Sequence, residues 1–467
     1  MNIHIRPALP EEADTLTQIA LAAKRHWGDS ERWMEIWVVS LISLDEVVKK
    51  RAFCVSLEAL VVLTKDTKMD WNTLYCPNKC CQYYGIPFQA GKMIKNGSSY
   101  GQLQALCKGC GSSVTLSYAT AYYGLESDPV IFETAVRALA EGNSIRATGR
   151  IFEIDKDTVC DWLDRAALHC RSVALYHWNQ LHVTECQLDE LWSFVHTKEA
   201  HLPYAKIFCE SYGDAWVWLA VAPVSRLVLA FVIGKRTQEN ANLLLDRVKD
   251  VTDEHIPFFT SDQLPEYDDA LLHTYGVWVH PERKGTRGRY PQPRLVPVEG
   301  LLYAQVVKIR ENGRVTEVKT KVIFGKPEVI VQQLANSAVS STINTSFVER
   351  DNLTQRQSNR RLTRRTNGFS KDIAWFEKQL WLSLAYYHFV LPHRSLRQPL
   401  EIREPTRGNG TLKKWKPVTP AMAAGITDHV WTTAELLSYR VPAQFLDDLS
   451  TNKPLFALLD DNVHQGK

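Results

Sequence analysis

Cysteines are the sequence feature that most constrains this fold. Five of the ten cysteines fall within residues 76–110, in the segments Cys76-Pro-Asn-Lys-Cys-Cys and Cys107-Lys-Gly-Cys. Two such knuckles are typical of a small module that folds around one tetrahedral zinc ion. Cys76, Cys107 and Cys110 supply three thiolates, and Cys80 and Cys81 compete for the fourth position. Four thiolates leave no open position for water, so we expect a structural zinc. The alternative is a set of buried free cysteines.

The composition allows several folded domains. The 467 residues are 45% hydrophobic and 23% charged, which is enough for more than one core and indicates roughly two to four domains. The net charge of +3 gives no global sign of nucleic-acid binding, so that function has to rest on local clusters. The apolar run at residues 36–42 is far too short to span a bilayer. We therefore expect a soluble, cytoplasmic protein with no membrane partner.

Residues 129–170 predict three helices. Apolar positions at helical spacing mark residues 129–141 and 145–152, and Ser144 is expected to cap the second helix. A short connection at 153–155 leads to a third helix, a pattern typical of a helix-turn-helix. The alternative is a three-helix core without DNA contacts. Because acidic residues offset the charge of the third helix, we expect the phosphate contacts mainly from the second. The basic residues predicted to contact DNA here are Arg146, Arg150, Lys156 and Arg165.

Three carboxylates are candidates for a two-metal site. Asp189 lies in the predicted strand Gln187-Leu-Asp-Glu-Leu-Trp-Ser-Phe-Val, and Asp262 ends an apolar strand just before a helix. Glu349 lies in a helical stretch rich in arginine. Carboxylates that converge from separate elements can hold two magnesium ions about 4 Å apart. Alternation along the strand predicts that Glu190 points to the opposite face and is dispensable. The alternative is that all of these are ordinary surface carboxylates.

The order of these features resembles one family of mobile-element enzymes. A cysteine ribbon, a helix-turn-helix, Asp-Glu-x-Trp-Ser-Phe-Val, Ser-Asp and Val-Glu-Arg-x-Asn follow one another over about residues 69–395. This series is similar to the DDE transposases of the first-described bacterial insertion-sequence family, the InsA and InsB type. The resemblance implies a multidomain α/β chain with a ribonuclease H-like mixed-sheet catalytic domain and a structural Zn²⁺. It also implies two Mg²⁺ or Mn²⁺ ions held by Asp189, Asp262 and Glu349. Arg356 matches the family's basic residue two helical turns beyond the Glu, and the spacing Cys-Pro-Asn-x-x-Cys favours Cys81 over Cys80.

The resemblance further implies an activity and partners. Such an enzyme binds the terminal inverted repeats of an insertion sequence, cleaves the strands with metal, and transfers them into target DNA. Its expected partners are double-stranded DNA, at the element ends and the target, and further copies of the chain in the DNA complex. The expected location is the bacterial cytoplasm, at the nucleoid. Familiar members carry the DNA-binding and catalytic parts in separate overlapping frames, whereas this chain is continuous. Further residues expected to contact DNA are Arg350, Arg360 and Arg361.

Changes in composition and motif divide the chain into five predicted segments. They are a leader at 1–68, a zinc ribbon at 69–125, a helix-turn-helix at 126–175, a catalytic domain at 182–398 and a C-terminal arm at 399–467. The arm is rich in Pro, Gly and Thr and is expected to be loosely packed. The leader resembles the first strand and helix of GNAT acetyltransferases, without that family's later Gly-rich turn. The alternative is an ordinary small helical extension.

Inside the catalytic domain, two apolar runs at 215–222 and 227–234 predict adjacent buried strands joined by a turn. The long interval between Asp262 and Glu349 predicts a strand-rich insertion at about 276–335. We interpret it as a basic platform for backbone phosphates, the alternative being a solvated hairpin. Its basic residues are Arg283, Lys284, Arg287, Arg289, Lys308, Arg310, Lys319 and Lys321.

Two other functions compete with transposition. The first is a zinc-ribbon and helix-turn-helix DNA-binding regulator with an inactive nuclease-like domain, against which the presence of all three acids argues. The second is an acetyltransferase, suggested only by the leader.

Overall fold

The computed structural model describes residues 5–7, 53–55, 69–99, 101–202, 212–282, 291–405 and 412–451. The chain divides into two compact units, Met1–Lys68 and Met69–Lys467. In the first unit, strand β1 (Ile5–Pro7) pairs antiparallel with β2 (Phe53–Val55). The helix predicted in the leader lies outside the described residues. The remaining elements all belong to the second unit.

The cysteine-rich segment folds as a small antiparallel sheet of β3 (Met93–Ser99), β4 (Gln102–Cys107) and β5 (Ser113–Thr115). A short 3₁₀ turn, Trp71–Thr73, precedes it. Six buried residues form its core, and two of them are cysteines: Leu74, Cys76, Met93, Ala105, Cys107 and Val114. So small a core stabilises little by itself.

Three helices follow, as the periodicity predicts: α1 (Pro129–Ala140), α2 (Ile145–Phe152) and α3 (Lys156–His177). Each begins at a side-chain cap, and Ser144 accepts a hydrogen bond from the backbone of Ala147, as expected. Glu153 adopts a left-handed conformation with φ 55° and ends α2. The third helix is far longer than a recognition helix needs, because its apolar side continues into the main core.

A six-stranded mixed sheet lies at the centre of the unit, in the order β13-β12-β9-β6-β7-β8. Three consecutive strands, β6 to β8, form an antiparallel meander, β9 is parallel to β6, and β12 is parallel to β9. The strands are β6 (Glu185–Val195), β7 (Gly213–Ala222), β8 (Leu227–Gly234), β9 (Phe258–Asp262), β12 (Tyr303–Glu311) and β13 (Arg314–Phe324). The predicted pair at 215–222 and 227–234 and the predicted strand ending at Asp262 are confirmed.

Helices cover both faces of this sheet. One face packs on α4 (Gln238–Val251) and α5 (Pro265–Tyr275), and the other on α7 (Ser346–Ser358) and α8 (Ile373–Ala385). Helix α6 (Pro327–Ala335) covers the β9 and β12 side. Helix α8 runs into a π-helical turn, Tyr386–Val390. The mixed α/β class is therefore confirmed. Among the described residues, no helix combines the length and the apolar character needed to cross a bilayer.

The predicted insertion at 276–335 is wrong in its extent. Strand β12 is a full member of the central sheet, because its inner end is apolar and buried at Tyr303, Ala304 and Val306. Only the separate hairpin of β10 (Gly276–Val279) and β11 (Arg294–Pro297) and the exposed strand β13 lie outside the sheet core. Four of the predicted basic residues, Arg283, Lys284, Arg287 and Arg289, lie outside the described residues.

The prediction of a loosely packed C-terminal arm is also wrong for much of its length. After the exposed hairpin of β14 (Gln398–Pro405) and β15 (Leu412–Lys416), the chain forms α9 (Pro420–Ala423), α10 (Thr433–Ser438) and α11 (Ala443–Thr451). Ala421 and Leu437 are fully buried in the main core. The Pro and Thr residues that suggested a loop instead start helices, since Thr419 and Thr432 are N-caps.

Candidate metal centres

Four thiols converge in the cysteine-rich sheet. The sulfur atoms of Cys76, Cys81, Cys107 and Cys110 all lie within 4.8 Å of one another. Cys76 Sγ and Cys110 Sγ are 3.6 Å apart, and Cys81 Sγ and Cys107 Sγ are 3.8 Å apart. A tetrahedron with zinc–sulfur distances of about 2.3 Å has edges of about 3.8 Å. The cluster therefore matches the geometry of a zinc site and could hold the ion.

Local backbone contacts select Cys81 over its neighbour. The backbone N–H of Tyr83 donates to Cys81 Sγ at 3.4 Å, a contact typical of the outer shell of a thiolate site. Cys80 is exposed and does not belong to the group, and its own N–H bonds to the Asn78 side chain. Gly109 is required between the last two cysteines, because a Cβ there would lie 2.5 Å from the Tyr83 ring.

Arg440, between α10 and α11, ties the cysteine-rich sheet to the rest of the unit. Its side chain is buried and donates to the backbone oxygens of Asp70, Leu116 and Tyr118 at 2.6–2.9 Å. It also donates to the Thr73 hydroxyl at 2.6 Å. These bonds satisfy carbonyls that precede and follow the cysteine-rich sheet in the chain. A residue near the C-terminal end of the described chain therefore holds this sheet in place.

Three carboxylates form a second gathered group. Ligand oxygens of Asp189, Glu190 and Asp262 all lie within 4.8 Å of one another. The position follows from the sheet, because β6 and β9 run parallel with Gln187 paired to Thr260. Two residues further along that register, Asp189 stands beside Asp262, where β9 ends and β6 continues. The site thus lies at the carboxyl end of β9, beside the middle of the parallel strand β6, and strand ends of this kind are where open α/β sheets present functional groups.

Burial makes this group costly without a counter-charge. It raises the pKa of Asp189 to about 6 and that of Glu190 to about 8, and it raises the pKa of Asp262 as well. Within the described part of the chain, Glu190 Oε1 and Asp262 Oδ1 are buried without a hydrogen-bond partner. Hard carboxylate oxygens left unsatisfied in a buried place fit Mg²⁺ or Mn²⁺. The carboxylate group could therefore hold a divalent cation.

The role expected for Glu190 needs correction. Alternation does send it to the face opposite Asp189, since Glu190 lies against Tyr267 of α5 and Asp189 against Asn352 of α7. Strand β6 nevertheless stops pairing with β9 after Gln187. The carboxylates of both Asp189 and Glu190 therefore reach the space beside Asp262. Glu190 is a member of the group rather than a bystander.

Two polar side chains position the acids, and the sequence prediction missed both. The Asn352 side-chain amide donates to Asp189 Oδ2 at 2.5 Å, and its Oδ1 is buried without a partner among the described residues. Arg236 donates to Glu190 Oε2 at 3.0 Å. Asn352 was within reach of sequence reasoning, because it stands three residues after Glu349 in Val-Glu-Arg-x-Asn. No local signal marked Arg236.

Glu349 lies near this group without belonging to it. It is exposed on the first turn of α7, where it forms an ion pair with Lys308 of β12 and accepts a hydrogen bond from Thr345 at 2.8 Å. Its charge still contributes to the raised pKa of Asp189. The third predicted acid is thus close enough to act electrostatically, while its carboxylate is occupied by a lysine.

The predicted basic residues separate into two kinds. Three guanidinium groups bind the protein itself: Arg356 donates to the carbonyls of Trp192 and Leu362, Arg361 to the Ser370 hydroxyl, and Arg165 to the carbonyls of Tyr123 and Ala121. Lys156 pairs with Asp157 on the surface at 2.8 Å. The other predicted DNA contacts are exposed and available: Arg146, Arg150, Arg350 and Arg360.

No protein-family model matches this chain, and no curated protein matches it significantly.

Proposed function

We propose that this chain is a DDE-type DNA transposase that binds the terminal inverted repeats of an insertion sequence, cleaves there with divalent metal, and transfers strands into target DNA. The observation that carries the proposal is the pair Asp189 and Asp262, side by side and half-buried where β9 ends beside the parallel strand β6. Their unsatisfied oxygens and the motif series around them agree with a two-metal nuclease.

Each residue has a part in this proposal. When bound, Mg²⁺ or Mn²⁺ would activate the attacking oxygen and stabilise the leaving oxygen of the scissile phosphate. Asp189, Asp262 and Glu190 would hold the metal, and Glu349 would complete the set after release from Lys308. Asn352 orients Asp189 through its amide. Arg356 acts on position rather than on substrate, since it braces the end of β6 through the Trp192 carbonyl.

The architecture around the acids supports the same proposal. A three-strand meander continued by two parallel strands, with helices on both faces, agrees with a ribonuclease H-like catalytic domain. The four-thiol module agrees with a zinc ribbon. Helices α1 to α3 agree with a helix-turn-helix in which Arg146 and Arg150 of α2 contact phosphates, because α3 exposes Asp157 and Asp161 instead.

The test is metal-dependent nicking of DNA that carries an end of the element encoding this chain. The full chain should nick one 3′ end with Mg²⁺ or Mn²⁺, and Asp189→Asn and Asp262→Asn should each lose nicking by orders of magnitude. Both variants should melt no lower than the parent without metal, because Asn removes a buried charge of raised pKa. Asp214→Asn, on β7 outside the group, is the matched control and should remain active. Full activity in both acid variants would refute the nuclease.

The ion pair of Lys308 with Glu349 favours a second candidate, the DNA-binding regulator with an inactive nuclease-like domain. In that case the lysine replaces a metal permanently. A chain that binds the element ends yet nicks with neither metal, both as wild type and as Lys308→Met, would be such a regulator.

A further inference from the structure

A cationic cavity lies on α7, away from the carboxylates. It has a volume of about 580 Å³ and is bounded by α7, the β7–β8 turn and the segment after the π-helical turn. Four arginines contribute to its lining: Arg226, Arg350, Arg394 and Arg397. No step of the proposed chemistry uses this cavity.

The positive charge of the cavity is not neutralised by protein. Among the described residues, none of these four guanidinium groups forms an ion pair with a carboxylate, and Nη1 of Arg226 is buried without a partner. Arg226 has a φ of 62°, and its guanidinium lies 4.0 Å over the Phe347 ring. Arg226 is half-buried, and Nε donates to the Ser395 hydroxyl at 3.3 Å, so Nη1 is the donor that an anion would satisfy.

One carboxylate, Asp351, lies in the described lining, and it offsets only part of the charge of the four arginines. Its side chain is buried and accepts hydrogen bonds from Gln355 at 3.3 and 3.4 Å. Burial raises its pKa to about 7. His393 stands near Arg226 and Arg350, whose charges help to lower its pKa. The cavity is therefore strongly positive near neutral pH.

Helix α7 separates this cavity from the acids and also links the two. Positions 349, 352 and 356 point toward the carboxylate group, while 346, 350 and 354 line the cavity. At about 100° per residue, the centres of these two sets lie roughly 130° apart around the helix axis. The helix is roughly 10–12 Å wide with its side chains, a distance close to three base-pair steps of about 3.4 Å.

We propose that this cavity binds backbone phosphates of DNA, as a second anchor on the far side of α7 from the carboxylates. Arginine forks match phosphate oxygens in pairs, and a volume of about 580 Å³ exceeds the need of one phosphate. This inference rests on the proposed function, since the DNA is the one whose strand reaches Asp189 and Asp262.

The test is the salt dependence of DNA binding, measured by fluorescence anisotropy with the full chain and a labelled 30-base-pair duplex in magnesium-free buffer. The double variant Arg350→Gln/Arg394→Gln removes two exposed cations and leaves the half-buried Arg226 in place. Each phosphate that the variant no longer neutralises should lower the slope of log K against log salt by about 0.9. We therefore expect the slope to fall by about two and binding at low salt to weaken at least tenfold. Arg137→Gln, on the exposed side of α1, is the matched control.

An unchanged slope and affinity in the double variant would overturn the proposal. Calorimetry with inorganic phosphate identifies the source of the anion. If phosphate binding is lost in the double variant while the DNA slope stays the same, the cavity serves a free anion and the proposal of a DNA anchor is wrong.

The nicking assay keeps this inference separate from the nuclease. If the salt slope falls in the double variant but the wild-type chain never nicks DNA, the phosphate site is supported and the nuclease is refuted. If the wild-type chain nicks DNA but the double variant keeps the wild-type slope, the nuclease is supported and the phosphate site is refuted.

Discussion

In both the thiol group and the carboxylate group, the ligand atoms lie within 4.8 Å of one another, yet the two groups have different structural surroundings. The four thiols belong to a module with six buried core residues. Their sulfur pairs, 3.6–3.8 Å apart, have the spacing of the four ligands around a tetrahedral ion. The three carboxylates stand on β6 and β9, the two central strands of a six-stranded sheet that is flanked by cores with dozens of apolar side chains. Buried oxygens of Glu190 and Asp262 lack partners within the described chain.

The difference teaches what each metal would contribute. In the cysteine-rich module, a metal would supplement a small core, and the protein would supply every ligand. In the sheet, we expect the large apolar cores to hold the fold without the metal, which would then have coordination positions left for water or substrate. Removing metal should therefore unfold the first site and only inactivate the second.

Substitution of Cys81 should have the largest effect. Changes in the outer shell of metal sites cost about 10–100-fold in affinity, so loss of a direct ligand in Cys81→Ser should lower zinc affinity by more than that. Hydrogen exchange should then show residues 71–115 unfolding while β6 to β9 stay protected. Cys80→Ser is the control and should keep one zinc per chain, measured by mass spectrometry. Equal zinc loss in both variants would show that the fourth ligand is not specific.

Glu190→Gln should have the next largest effect, at the carboxylate group. The variant keeps the volume but removes one negative charge from the group and leaves Arg236 unpaired. We expect the Mg²⁺ concentration for half-maximal nicking to rise by about 10–100-fold. Glu199→Gln breaks an exposed ion pair with Lys235 and should leave it unchanged. If Glu190→Gln keeps normal metal dependence, Glu190 is a bystander after all.

The stability of the metal-free protein should depend on pH in a direction that distinguishes the acids. The pKa values of Asp189 and Glu190, about 6 and about 8, exceed the ordinary values of 3.8 and 4.5. The folded chain therefore keeps protons that the unfolded chain has released, and stability falls as the pH rises through about 4 to 8. Urea melts of the wild type and of Asp189→Asn/Glu190→Gln should diverge by up to about 1.4 kcal/mol per proton and pH unit. Parallel curves would mean that these acids are charged in the folded state.

Removal of residues 1–68 should have the smallest effect. Every residue of both groups belongs to the unit Met69–Lys467. A chain starting at Met69 should bind zinc and nick DNA without measurable change. Loss of either property would assign a role to the first unit.

Sequence reasoning succeeded where the signal is local. The spacing of cysteines, the cap at Ser144 and the β-branched runs of β7 and β8 each depend on near neighbours along the chain. The strand that ends at Asp262 was found for the same reason.

Most of the misses depend on contacts between distant segments. Strand β12 looked like an insertion because its parallel pairing with β9 has no local mark. The position of Glu190 depends on where the neighbouring strand stops, and Arg236 meets it across 46 residues. The pairing of Lys308 with Glu349 spans 41 residues and depends on how β12 faces α7.

Arg440 has a consequence for the timing of synthesis. Its partners at Asp70 and Leu116 lie 370 and 324 residues earlier in the chain. At a translation rate of roughly 5–20 residues per second, the cysteine-rich module is synthesised roughly 20 to 70 seconds before Arg440, the residue that holds it in place. If the four thiols bind zinc, that ion would be the main stabilisation open to the nascent cysteine-rich module, and scarcity of zinc during translation should harm this protein more than scarcity after release.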